Sequence, residues 1–145
     1  MADPIMVRRV NAAQRTLDTF RGKPFQLGKR DCVRLTAAHL RLLGYRVKLP
    51  PAGSYRTANG ALRKLHERGH ATLADAMDAL LPRIPPAGVL AGDVVQLEAE
   101  HPLGALAVVL GNGRVVGYHQ DAKGAEVLQP NAIEAAWRAA PVGPA

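Results

Sequence analysis

The sequence predicts an α+β fold, a helical N-terminal half packed on a small antiparallel β-sheet and followed by a short C-terminal helix. Three observations predict it. Up to about residue 80, apolar side chains recur at steps of three and four behind capping residues; beyond residue 90 they fall in short runs; and two of those runs flank Gly111-Asn112-Gly113, a hairpin turn. One domain over residues 1–140 and a tail without order at 141–145 account for the 145 residues.

Met6, Val10, Ala13, Leu17 and Phe20 form one stripe of a first amphipathic helix. A loop from Arg21 to Arg30 follows, and Asp31 is placed to cap a second helix through Leu35, Ala38, Leu42 and Leu43, stopped at Gly44. Residues 45–55 read as extended and irregular. Thr57 caps a short helix ending near Gly69, and Thr72 with Asp75 opens another that Pro82 closes. Leu81–Pro86 reads as a stiff connector. Strands are expected near Val94–Leu97, 103–110, 114–119 and 126–129, with Val94, Leu106, Val108, Leu110 and Val116 on the buried side. Ile133–Ala139 reads as the closing helix, pinned by Trp137.

Mean hydropathy near zero and 21% charged residues describe a soluble globular protein. No apolar run approaches the ~20 residues that span a bilayer, and the first residues lack a signal peptide's layout, so synthesis in the cytoplasm without export is expected. One cysteine excludes an intramolecular disulfide. The net charge of +7 is one-sided: residues 1–83 hold sixteen Lys/Arg against six Asp/Glu, residues 84–145 three against six. A basic front half suits an acidic partner. Nucleic acid is the weaker candidate, because there is no zinc-finger spacing and too few aromatics for a stacking platform.

Two motifs carry potential chemistry. His66-Glu67-Arg68-Gly69-His70 matches the zinc pattern HExxH, but Gly69 falls where the helix ends and no third ligand follows at a suitable spacing; neither metal nor cofactor is expected. Cys32, directly after the Asp31 cap, sits where free N–H groups and the helix dipole favour a thiolate. As a nucleophile it needs a base within ~2.6–3.2 Å. The histidines available are His39, His66, His70, His101 and His119.

The order of these elements resembles the NlpC-type, papain-like cysteine peptidases. The resemblance lies in Pro24-Phe25-Gln26-Leu27-Gly28 before Asp31-Cys32, in Gly92-Asp93-Val94-Val95 at a strand entry, and in Ala105–Gly113 at the hairpin. It implies an NlpC-like fold with Cys32 at the nucleophile position. Enzymes of this kind cleave peptidoglycan stem peptides, and related domains occur among bacteriophage tail-tip and tail-assembly proteins. The departures from the pattern are Phe25 for Tyr, Val33 for Ser, Ala105 for the base His and Gly117 for the orienting residue. The expectation is a structural or assembly component of a phage or prophage tail tip or hub. It would carry a degraded triad, be assembled in the host cytoplasm, reside in the virion and have other tail proteins as partners.

The alternative is an active peptidase with peptidoglycan as substrate, Cys32 as nucleophile and His119 or His101 as base. A three-residue hairpin loop would pair Leu110 with Arg114 and set His119 opposite Ala105; a two-residue loop would reverse its direction. A basic nucleic-acid-binding protein is the third reading. No membrane partner is expected.

Overall fold

The computed structural model describes residues 4–118 and 124–143. Four helices come first: α1 Pro4–Phe20, α2 Cys32–Leu42, α3 Ala58–Glu67 and α4 Leu73–Leu80. Each of the last three begins at the side-chain cap expected of it. Asp31, Thr57 and Thr72 accept from the backbone N–H of Arg34, Gly60 and Asp75, satisfying donors that a helix start leaves open.

The described residues then form one six-stranded antiparallel sheet from β1 Arg83–Ile84, β2 Val94–Leu97, β3 Ala105–Gly111, β4 Arg114–Tyr118, β5 Ala125–Leu128 and β6 Ile133–Trp137. The spatial order is β1-β6-β2-β3-β4-β5. Helices α1 and α2 lie on one face: Ala13, Leu17, Phe20 and Leu35 meet Val108, Val116 and Ala125, while Leu40 joins Val94, Leu106 and Trp137. On the other face the small side chains Val95, Ala107, Val109, Val115 and Ala136 are covered by Ile84, Val89, Leu97, Leu128 and Ile133. No helix among the described residues is long and apolar enough to cross a membrane.

Two expectations are corrected. The C-terminal helix expected over 133–139 is strand β6, paired with β2 through Val94↔Trp137 and Val95↔Ala136 and with β1 through Arg83↔Trp137. So short a stretch cannot sustain a helix alone. Beside the free edge of β2 its backbone groups find ladder partners instead. Trp137 pins this strand, fully buried, its indole N–H donating to Asp78 Oδ1 at 2.8 Å. The Leu81–Pro86 connector likewise carries strand β1 and leads into a 3₁₀ turn at Pro86–Gly88. Within the segment expected as a tail, the Val142 N–H donates to the Leu43 carbonyl at 2.7 Å, and the Arg8 guanidinium holds the carbonyls of Val142 and Gly143.

The hairpin turns through Asn112 and Gly113, both at positive φ (55° and 75°), as a two-residue primed turn requires. An irregularity between Val109 and Gly111 then shifts the ladder by one residue, giving Val109↔Val115 and Val108↔Val116. The shift restores the register that the three-residue loop would have produced.

Candidate thiol site

The site is assembled at the start of α2. Asp31 is 1% exposed and takes three donors: the Arg34 N–H on Oδ1, and the Gly28 N–H and Tyr55 hydroxyl on Oδ2, each at 2.8 Å. Gly28 has φ of +85°, and a Cβ there would collide with the Tyr55 carbonyl. The loop before Cys32 and the irregular segment ending at Tyr55 therefore pack backbone to backbone. Arg34 reinforces the arrangement, donating to the Pro50 carbonyl with its guanidinium 6.0 Å from the Tyr55 ring centre.

Cys32 is a free, half-buried thiol whose pKa is pushed up to about 11. Burial is the largest cause. The N–H groups of Leu106, Cys32 and Val33 act to lower it, whereas the Asp31 carboxylate raises it further. The helix start thus supplies the donors that the sequence promised, but desolvation and the adjacent negative charge outweigh them. At neutral pH the thiol is therefore held protonated, more firmly than a free cysteine.

No imidazole of the described residues is among the groups acting on this thiol. His101 is held in its own turn: its Nδ1 accepts from the Leu103 N–H at 3.0 Å, and its Nε2 lies 2.7 Å from Asn59 Oδ1. His119 lies outside the described residues. The hairpin register of the described residues, Val108↔Val116 and Val109↔Val115, is the one expected of the three-residue loop. His66 Nε2 lies 3.2 Å from the Ala71 carbonyl, and α3 stops at Glu67, so His66 and His70 do not share a continuous helix.

His39 is a core residue, fully buried, with Nε2 donating to the Gly92 carbonyl at 2.7 Å and Nδ1 3.2 Å from the Thr16 hydroxyl. Its pKa is lowered, chiefly by burial. Asp93 of the Gly-Asp-Val-Val motif is another buried pin. It accepts from Arg9 Nη1 and the Ala139 N–H on Oδ1, and from the Leu90 N–H and Arg138 Nε on Oδ2, at 2.8–3.1 Å. The motif ties α1 to the start of β2 and the end of β6.

Tyr118 and Tyr55 were not singled out from sequence. The Tyr118 hydroxyl is buried without a hydrogen-bond partner among the described residues, and its pKa is raised, first by burial and then by Asp31 and Cys32. Its ring meets Phe25 edge-on, 5.4 Å between centres. The charges of Asp31 and Cys32 thus bear on a phenol at Tyr118, although Phe25 carries none. The only available signal for Tyr118 was its place next to Gly117 in the hairpin.

The arrangement of helices and sheet is an NlpC-like fold. Among solved structures, the chain is similar to NlpC2 from Trichomonas vaginalis, with a TM-score of 0.62 and 14% identity. The alignment covers 97% of this chain and 48% of that one, so the chain spans about half the length of that protein. By sequence, the chain belongs to the family described as "Domain of unknown function (DUF6950)", matched over residues 8–139. No curated protein matches it.

Proposed function

We propose that this domain is a structural or assembly component of a bacteriophage tail tip or hub, in which the NlpC-type fold is kept and peptidase activity is lost. The observation that carries the loss of activity is the state of Cys32: a desolvated thiol beside a carboxylate, with Ala105 where the resemblance expects the base. A nucleophile needs the opposite surroundings, with positive charge and a base in hydrogen-bond reach. The tail assignment rests on the sequence resemblance, and the basic front half suits acidic neighbouring subunits.

Two experiments test the two halves of this reading. Iodoacetamide should alkylate native Cys32 slowly, with an apparent pKa near 11. A fast reaction below pH 8 that His119→Ala slows would show a working dyad. Mass spectrometry of purified particles, induced from a strain carrying the gene, should find the polypeptide; particles without it would end the tail assignment.

The hairpin register favours one second reading, an active peptidase with His119 as base, because Val108↔Val116 and Val109↔Val115 are the pairs that the three-residue loop was expected to give. In that case His119 would take the Cys32 proton, the thiolate would attack a stem-peptide carbonyl, and N–H groups at the start of α2 would receive the oxyanion. A Cys32→Ala protein with full lytic activity on purified peptidoglycan would exclude it.

A further inference from the structure

We propose that the cavity enclosed by α2, α3, α4 and the 45–50 segment binds a single-chain anionic amphiphile the size of a medium-chain carboxylate. This goes beyond the tail reading and does not depend on it. The cavity measures about 260 Å³. It adjoins the thiol site, sharing Val33, Pro50, Tyr55 and Leu106 with it, but Cys32 and Asp31 do not line it.

Its floor is apolar and belongs to the core: Leu40, Leu73, Met77 and Leu106 all line it and are all buried. Its rim is cationic, with Arg46, Lys48, Lys64 and Arg68, and no carboxylate among the described residues lines it. Glu67 reaches Lys64 at 3.6 Å from outside, while Arg46, Lys48 and Arg68 have no ion pair among the described residues. Arg68 donates to the Lys48 carbonyl at 2.8 Å, holding α3 to the segment that carries the other two cations.

An apolar hole of this volume gains by exchanging water for hydrocarbon. Its space equals that of roughly eight or nine waters at ~30 Å³ each, which suits an alkyl chain of similar carbon count. The unpaired cations at the mouth then select an anionic head over a neutral or positive one.

Isothermal titration of the intact protein with decanoate, decanol and decyltrimethylammonium, all below micelle formation, tests the proposal. Decanoate should bind one to one, decanol about tenfold more weakly, and the cation not at all. Ala76→Phe, which fills the cavity, should abolish binding; Leu80→Trp at the exposed lip is the second blocking variant should the first unfold by circular dichroism. The surface pair Arg46→Gln and Lys48→Gln should weaken decanoate about tenfold and leave decanol unmoved. Absent decanoate binding, equal affinity for decanol, or binding that survives both blocking variants would overturn the proposal. So would capture of an acidic leucine-rich peptide by a protein that ignores decanoate, which would make the cavity a protein-docking site.

Discussion

The Tyr55 hydroxyl donates to Asp31 Oδ2 at 2.8 Å, joining residues 24 positions apart in a buried contact beside the only cysteine. The same carboxylate caps α2 and receives the Gly28 N–H, so one side chain fixes the helix start, the loop before it and the end of the irregular segment.

Tyr55→Phe removes this bond while keeping the ring. A hydrogen bond to a buried charge contributes ~1.5–3 kcal/mol, and two N–H donors remain on Asp31, so a loss of about 1–2 kcal/mol is expected. The urea midpoint should fall with m unchanged. Asp31→Asn should do something different. It retains a capping oxygen but removes the charge that disfavours the thiolate, so the Cys32 pKa should fall from about 11 and alkylation at pH 9 should accelerate.

Cys32 also links stability to pH in the alkaline range. Its folded pKa, about 11, lies above the ordinary 9.0, so the native state keeps a proton that the unfolded chain gives up. The stabilisation is complete below pH 9 and is lost as pH rises through 11. With solvent screening at this half-buried residue, the loss amounts to about 1–2 kcal/mol. Cys32→Ala should flatten that part of the curve, as denaturant melts at pH 8.5 and 10.5 would reveal.

Much of this fold was legible because its signals are local. Asp31, Thr57 and Thr72 announce three helices by capping chemistry alone, and Asn112-Gly113 announces the hairpin. Ile133–Trp137 was misread because a five-residue, alanine-rich run carries no decisive period. What makes it a strand is the edge of β2, nearly forty residues away. The site was half legible for a similar reason. Cys32 and its cap are neighbours in sequence, but Tyr55 and Tyr118 reach them only through tertiary structure. The sign of the thiol's pKa depends on burial, which no motif encodes.

Asp93 is the position whose loss should cost most. Fully buried, it neutralises Arg9, itself 3% exposed, and also engages Arg138 and two backbone N–H groups. Asp93→Ala would leave the Arg9 guanidinium buried without its counter-charge, a change that costs ~3–5 kcal/mol. Asp93→Asn, with the shape kept, should cost less but still destabilise, since neither arginine then meets a charge. Thermal melts of the two variants should fall in that order.

His39 sets the acid limit from inside the fold. The neutral ring suits its surroundings: Nε2–H donates to the Gly92 carbonyl, and Nδ1 shares the single Thr16 hydroxyl hydrogen with the Ala12 carbonyl. Burial holds its pKa below the ordinary 6.5, so the unfolded chain takes up a proton that the native state refuses. The stability this gives is present above pH 6.5 and is lost as pH falls through the lowered folded value, at up to ~1.4 kcal/mol per pH unit. His39→Gln keeps a donor for Gly92 without a titrating group. Its stability at pH 7 should be lower than wild type, yet its decline between pH 6.5 and 5 should be shallower. A parallel decline in the two proteins would show that the acid sensitivity resides elsewhere.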